Sequence, residues 1–233
     1  MSAPGRSEAV DVAVVVPVHG NAATLAPLVA RVSAALAGRA WRLRLVVDAS
    51  PDDSAAVAAR LASADARVAV TVLDVGGGQH RALARGLADE PGARAWACLD
   101  ADLQDPPEAL PALLDRLAVG DVDAVFAGRR GAYEGRLRLL TGGLHRAALS
   151  GLTGLPRDAG AFLALGPAAR AAVLAAVLAD GAPSLVAAVG VAGLPVASVP
   201  VHRDTRPSGS SAWTSRARLR QSARTLVWAA RHR

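Results

Sequence analysis

The apolar positions fall into short continuous runs separated by longer segments with a single apolar face. That alternation predicts a parallel sheet covered by helices, an α/β fold. Asp11–Val16 is a continuous apolar run closing at Pro17 and reads as a strand. Over Thr24–Leu36 the residues Leu25, Leu28, Val29, Val32 and Leu36 recur at helical spacing. Further strands are expected at Arg42–Val47, Val68–Leu73, Ala95–Leu99 and Val122–Ala127. Helices are expected at Ser54–Ala64, from the glycine run Gly76–Gly78 to Leu87, and from the Pro106-Pro107 pair to Leu117. Proline suits a first helical turn because the N–H it lacks has no intrahelical partner there. After Gly128 the pattern loosens. Leu137–Leu152 reads as a helix or helix pair, Pro167–Leu178 as an alanine-rich helix, Val186–Val201 as two strands and Ser215–Arg231 as a basic amphipathic helix. Neither a repeat nor a linker interrupts the chain, so residues 1–233 are expected to form one domain.

Composition narrows this picture. At 52% hydrophobic residues the 233-residue chain excludes extended disorder, and at 3% aromatics its core must be built from Ala, Val and Leu. Every one of the 26 basic residues is arginine, and the net charge is +6. From Arg203 to Arg233 eight arginines face one acid, Asp204. Such a tail suits a polyanionic partner, and it equally suits a solvated helix face. In the last helix Leu219, Leu226, Val227 and Trp228 lie among Arg216, Arg218, Arg220 and Arg224. That face either rests on an anionic membrane surface or closes the core with its arginines in water. The aromatic platforms of single-strand binders are lacking, and nucleic acid is not an expected partner. Cys98 sits inside an apolar run and reads as a small core residue. Met1–Glu8 has no apolar signal-peptide core. The uncharged run Gly181–Val201 is long enough to span a bilayer, but Gly181, Pro183, Gly190, Gly193, Pro195 and Pro200 favour strands joined by a turn. A cytoplasmic protein is expected, soluble or peripheral at the inner face of the membrane.

The chemistry collects at three strand ends: Pro17–Asn21, Asp48–Ser54 and Asp100–Asp105. Open α/β sheets bind ligands outside the carboxyl ends of their strands. Asp100 and Asp102 stand two apart and so point the same way, with Gln104 following. Two like charges on one face call for a cation, and Mg²⁺ or Mn²⁺ suits carboxylates that share it with phosphate oxygens. By spacing alone, an acidic turn opening a helix with Asp105 as its cap fits as well. Gly76–Gly78 would cradle a phosphate at a helix start or simply turn the chain; no Lys-Ser/Thr follows, so it is not a P-loop. His19, His80, His145, His202 and His232 have no metal-ligand spacing, and zinc is not expected.

Read together, Val16-Pro17-Val18-His19, Val46–Ser54, the stretch from Gly78 through Ala82-Leu83 to Gly86-Leu87, and Asp100-Ala-Asp-Leu-Gln-Asp-Pro-Pro-Glu108 resemble family 2 glycosyltransferases. The nearest subgroup is the polyprenyl-phosphate sugar synthases, to which dolichyl-phosphate mannose synthase belongs. Its run of Asp-Ala-Asp-Leu-Gln, one residue, then Pro-Pro-Glu is reproduced unchanged. Ala127–Arg130, the segment Arg157–Gly160 with Phe162 and Leu165, and the late set His202, Arg206, Gly209, Ser211 and Trp213 extend the resemblance over residues 10 to 220.

The resemblance implies a GT-A fold and inverting, metal-dependent transfer from a nucleoside-diphosphate sugar to polyprenyl phosphate. By it, Pro17, Val18, His19, Asp48 and Gly78 line the nucleotide, and Asp100, Asp102 and Gln104 hold Mg²⁺ or Mn²⁺ and the donor diphosphate. Arg129, Arg206 and Ser211 face phosphates, and Asp102, Asp158 and Arg206 are the catalytic candidates. This chain departs from the pattern at Asn21, Val47 and Gly76, and above all at Ala161 and Leu163, where the subgroup has an aspartate and an arginine. That departure leaves three outcomes open: activity survives because a phosphate acceptor needs little base, the acceptor is a soluble molecule, or the protein binds sugar nucleotides without turnover.

Overall fold

The computed structural model describes residues 10–130, 136–204 and 215–233, with side chains from 142 onward in the second stretch and from 219 onward in the third. The chain runs β1 (Val10–Val18), α1 (Ala22–Ala35), β2 (Trp41–Asp48), α2 (Ser54–Ala64), β3 (Val68–Leu73), α3 (Gln79–Ala88) and β4 (Ala93–Cys98). A 3₁₀ turn at Pro107–Ala109 leads into α4 (Leu110–Ala118), followed by β5 (Ala124–Arg130), α5 (Arg136–Thr153), β6 (Leu163–Leu165) and α6 (Pro167–Leu174). A wider turn at Ala175–Ala179 extends α6, and α7 (Leu185–Val191), β7 (Val196–His202) and α8 (Ser215–His232) complete the order.

One seven-stranded sheet has the order β3-β2-β1-β4-β6-β5-β7. β1 pairs in parallel with β2 and β4, β2 with β3, and β5 with β7, while β6 runs antiparallel between β4 and β5. The sheet is therefore mostly parallel, as the alternation of runs predicts. Both of its faces are covered, which is why β1 reads as unbroken valine rather than as an alternating strand. Val12, Val14, Val16 and Val18 pack with Leu25 and Leu28 of α1 and Leu110 and Leu113 of α4. Ala13 and Val15, on the opposite face, pack with Ala82, Leu83 and Leu87 of α3 and with residues of α6 and α7. Cys98 is a buried free thiol in that second layer.

The strand order reverses at β1: β2 and β3 build outward on one side, and β4 begins the other. The β1–β4 register ends at Val15–Cys98, while β1 stays paired with β2 through Pro17–Val46 and Val18–Val47. Pro17 has no N–H to give, so beyond Val15 nothing draws β4 along and the two chains part. That parting opens a crevice at the topological switch point, where such sheets bind ligands. α3 reaches the same edge because Gly86 lets it settle onto the sheet: a Cβ there would fall inside the side chains of Val15 and Val46. Gly86→Ala, which gains about 1 kcal/mol of propensity on an exposed helix, is expected here to lose about 1–3 kcal/mol by overpacking. A urea midpoint at or above wild type would refute this account of the α3–sheet contact.

One expectation for the second half is corrected. Val186–Val191 is helix, not strand, so Gly181–Val201 holds α7 and β7 rather than two strands. Ser184 caps α7 by accepting the Ala187 N–H, and five of its seven residues are buried all round, leaving no one-sided stripe to mark a helix. Gly190 admits the close approach of α5's end, since a Cβ there would lie 2.8 Å from both Thr153 and Leu155. The short strand β6 is not foreseen from its three apolar residues. Leu137–Leu152 falls within one helix, α5.

Candidate active site at the sheet switch point

The loops after β1 and β2 are stitched together by Asp52. Its Oδ1 accepts the hydroxyls of Ser50 and Ser54, each at 2.6 Å, and the Ser54 N–H at 3.1 Å; its Oδ2 accepts the Ala22 N–H at 3.1 Å. The two serines in turn accept the Gly20 and Asn21 N–H groups at 2.8 and 3.0 Å. Burial pushes the Asp52 carboxyl up, but these hydrogen bonds outweigh it and hold the carboxyl well below the ordinary carboxylate range. Asp52 is thus a brace that fixes the crevice wall. His19 is exposed on that wall, with Nδ1 2.8 Å from the Asp48 carbonyl. A carbonyl can only accept, so in the neutral ring Nδ1 carries the proton and Nε2 is the acceptor. Val18, expected to line the nucleotide, lies in the core beneath α1, and its side chain is not available to a ligand. Pro17 is half-buried.

Asp48 ends β2 and is followed by Ala49 at φ +44°, one of two non-glycine residues in the left-handed region among the described residues. The other is Leu103, at φ +62°, inside the acidic turn after β4. Both left-handed residues therefore flank crevice carboxylates, and such conformations persist only where the surroundings enforce them. The enforcement at Asp48 comes from the glycine run, whose Gly77 and Gly78 N–H groups donate to its two carboxylate oxygens at 2.7 and 2.8 Å. The run thus cradles a carboxylate of its own chain. The next residue, Gln79, donates its side-chain amide to Asp100 Oδ1.

Asp100 keeps 24% of its side chain exposed toward the crevice. Burial of most of its surroundings, then the negative charges of Asp105 and Asp102, push its carboxyl up to about 7, against the partial relief given by Arg203 and Arg129. Asp102 Oδ1 accepts the Gln104 N–H at 3.1 Å, closing the turn around Leu103. Gln104 is buried, and its carbonyl accepts the Asp204 N–H at 2.9 Å. Asp105 is 1% exposed and pairs with the Arg203 Nε at 2.6 Å; Arg203 Nη2 stands 3.8 Å from Asp100 Oδ2. From α1, Arg31 grips Glu108 with two hydrogen bonds of 2.8 and 2.7 Å and reaches Asp204 at 3.4 Å. Cys98, just upstream, has its thiol pushed up by burial and by Asp100, which leaves it a protonated core atom.

The donor set fits a divalent cation of the Mg²⁺ or Mn²⁺ kind. Among the described residues no group of three or more His, Cys, Asp or Glu side chains forms a closed cage. What stands there is a pair of carboxylates with excess negative charge, one of them pushed up by burial and by the charges of Asp105 and Asp102. Such a half-set suits a hard ion that completes its shell with water and substrate phosphate.

Across the sheet, β5 carries Arg129 and Arg130. Arg130 pairs with Asp158 at 3.0 Å, and the other Asp158 oxygen accepts the Ser198 hydroxyl at 3.0 Å. Arg129 lies over Gly160, where a Cβ would come 2.8 Å from its guanidinium carbon, and its buried Nε has no hydrogen-bond partner. Ala161 is 7% exposed and packs in the core. Arg206 and Ser211, with Gly209 and Trp213, lie outside the described residues.

The crevice thus brings together His19, Asp48 and Asp100, with Asp102 in the turn beyond Asp100 and Arg129 close enough to act on Asp100's charge. It also adds residues the sequence reading passed over: Asp52, Gln79, Arg203 and Arg31. Asp52 and Gln79 stand within quoted motifs; Arg31 and Arg203 are recognisable only through partners 77 to 173 positions away.

Comparison with known proteins agrees with this architecture. Undecaprenyl-phosphate 4-deoxy-4-formamido-L-arabinose transferase from Pseudomonas aeruginosa is 41% identical over 112 residues, which make up 47% of this chain and 33% of that protein. The transferase of the same name from Sodalis glossinidius is 34% identical over 146 residues, 61% of this chain and 44% of that one. The matched stretches therefore span less than half of these relatives. Among solved structures, glucosyl-3-phosphoglycerate synthase from Mycobacterium tuberculosis, in complex with Mn²⁺, UDP-glucose and phosphoglyceric acid, superposes with a TM-score of 0.63. The superposition covers 95% of this chain and 78% of that one at 20% identity, a likeness of fold. Residues 13–151 match the sequence profile of Glycosyl transferase family 2. The strand order, the acidic turn at the switch point and this match converge: the chain belongs to glycosyltransferase family 2.

Proposed function

We propose that the protein transfers a sugar, with inversion, from a nucleoside-diphosphate sugar to a phosphate-bearing lipid acceptor of the polyprenyl-phosphate type. The observation that carries the reading is that the entry to α3 holds Asp48 through Gly77 and Gly78 and Asp100 through Gln79 at the switch point, with Asp102 in the turn beyond Asp100. His19 and Asp48 bind the base and ribose. Asp100 and Asp102 hold the cation, with Gln104 shaping their turn. A divalent cation, when bound, neutralises charge developing on the leaving diphosphate. Arg129, and Arg206 and Ser211 from the late loop, hold phosphate oxygens, for which guanidinium geometry is suited.

The acceptor side favours phosphate over hydroxyl. A sugar hydroxyl needs a base; here Ala161 offers none, and Asp158 is engaged by Arg130 and Ser198. A phosphate monoester, with a second pKa of about 6, is mostly ionised near neutrality and attacks unaided. Its oxygen forms the new bond to the anomeric carbon as the bond to the diphosphate oxygen breaks, and the nucleoside diphosphate leaves. Asp158 then positions Arg130 rather than taking a proton. The names of the sequence relatives support a polyprenyl-phosphate acceptor, and the UDP and Mn²⁺ of the structural neighbour make them the first pair to try.

None of the helices among the described residues is long and apolar enough to cross a membrane. The outward side of α8 exposes Leu219 and Val227 beside Arg220, Arg224 and Arg231, and apolar residues among arginines suit the surface of an anionic bilayer. Contact through this helix at the cytoplasmic face would bring the crevice to a lipid-borne phosphate. The test is incubation with a radiolabelled UDP-sugar, Mn²⁺ and undecaprenyl phosphate in detergent. Label is expected to move into the organic phase. Label passing only to soluble phosphorylated acceptors would overturn the lipid assignment, and an intact donor in both mixtures would leave a binding protein.

A further inference from the structure

Gly77, Gly78 and Gln79, at the entry to α3, serve two loops at once. The backbone N–H groups of the glycines hold both oxygens of Asp48 at the end of β2. The side-chain amide of Gln79 holds Oδ1 of Asp100 at the end of β4. β2 and β4 are not neighbours in the sheet, since β1 lies between them. Their carboxylates are therefore fixed relative to each other through α3, which itself rests on β1 and β2 where Gly86 meets Val15 and Val46.

We propose that Gln79 is a positioning residue for Asp100, setting the orientation in which that carboxylate meets a divalent cation and linking it to Asp48. This rests on the reading of Asp100 as a cation-binding group. A carboxylate with both oxygens loose turns about its last torsion. With Oδ1 engaged by a neutral donor it presents Oδ2 and the remaining lone pairs in one direction. Neutrality matters: an amide orients the carboxylate without adding a positive charge that would compete with the incoming cation, as a lysine at this position would. Arg203 approaches Oδ2 only to 3.8 Å and has Asp105 as its close partner, so Gln79 makes the closer contact on Asp100. Partners one step removed from a metal ion commonly set affinity 10- to 100-fold.

The test compares wild type, Gln79→Met, Gln79→Leu and Asp100→Asn. Free Mn²⁺ is counted by electron paramagnetic resonance, with Mn²⁺ alone and with UDP. Both Gln79 variants are expected to bind Mn²⁺ roughly 10- to 100-fold more weakly, with the thermal midpoint and the metal-free affinity for UDP unchanged. Wild-type Mn²⁺ affinity in both Gln79 variants, while Asp100→Asn loses it, would overturn the positioning role alone. Wild-type affinity in Asp100→Asn would overturn the cation reading beneath it. A fall in thermal midpoint and in metal-free UDP binding that matches the loss of Mn²⁺ would reduce Gln79 to a structural contact.

Discussion

Asp102→Asn is expected to abolish metal-dependent nucleotide binding and to lower the transfer rate by about 10³-fold or more, the several kcal/mol that a cation at a leaving diphosphate supplies. Asparagine is the informative replacement because Asp102 has two tasks. Its Oδ1 accepts the Gln104 N–H that closes the turn around Leu103, and its charge faces the crevice with Asp100. The amide oxygen of asparagine keeps the first task and removes the second. Asp102→Ala loses both, and its fall in stability would obscure the result. Calorimetry of UDP with Mn²⁺ and with EDTA measures binding, and release of UDP from the donor measures the rate. Metal-dependent binding that survives in Asp102→Asn would remove Asp102 from the cation site. The same cluster sets a pH dependence. Asp100 holds its proton to about pH 7 in the folded chain, against an ordinary value of 3.8. Between these values the folded state binds the extra proton, so this carboxyl's contribution to stability is greatest at low pH and falls as pH rises toward 7. A divalent cation takes the ionised carboxylate and reverses the trend. Raising the pH from 5 to 8 is therefore expected to lower the urea midpoint more in EDTA than in Mn²⁺.

The first half of this fold is legible in the sequence because its elements carry their own signals. β1 to β5 are apolar runs bounded by turn residues, α1 shows a one-sided stripe, and the acidic turn follows its strand without a gap. Physical reasons explain where that legibility stops. α7 is buried on nearly all sides and therefore has no polar face to reveal its period, while Gly181 and Pro183 before it and Gly193 and Pro195 after it flank a helix rather than mark a turn between strands. β6 has three residues and owes its state to pairing with β4 and β5. At the site the carboxylates are visible in the motif, but their states are not. That Asp52 is a brace, that Asp48 is held by two glycine amides, and that Gln79 reaches Asp100 are facts of tertiary contact between loops of separate strands. Arg203 illustrates the point: no motif marks it, and its pairing with Asp105 is visible only in the fold.

Removing Arg203 is expected to be the most destabilising single change at the site. Asp105 is 1% exposed, its Oδ1 accepts from the Arg203 Nε at 2.6 Å, and its Oδ2 has no hydrogen-bond partner. Arg203 keeps only 6% of its side chain exposed. Burial alone would lower its affinity for the proton, but the charges of Asp105, Asp100 and Asp102 outweigh burial and raise it. Arg203→Met leaves a buried carboxylate uncompensated beside two others, and breaking a buried pair in this way costs about 3–5 kcal/mol. The loss does not mean that the pair contributes that much net stability. Desolvating two ions is expensive, and a well-packed apolar pair of similar volume is often equal or better. The double variant Asp105→Leu with Arg203→Met is therefore expected to recover most of the loss, with a coupling of roughly 2 kcal/mol or more between the sites. Urea unfolding of the four proteins in the cycle measures it; additive losses would mean that the two residues hold the fold independently. The recovered variant then isolates what the pair does beyond stability. β7 and β4 are separated in the sheet by β6 and β5, and Arg203 is where the end of one meets the loop of the other. The Asp204 N–H on the Gln104 carbonyl and Arg31 across Glu108 and Asp204 fasten the same joint. A double variant that folds at the wild-type midpoint yet binds Mn²⁺ more weakly would show that the joint serves to present Asp100 and Asp102, and that its charge is kept for the site rather than for the fold.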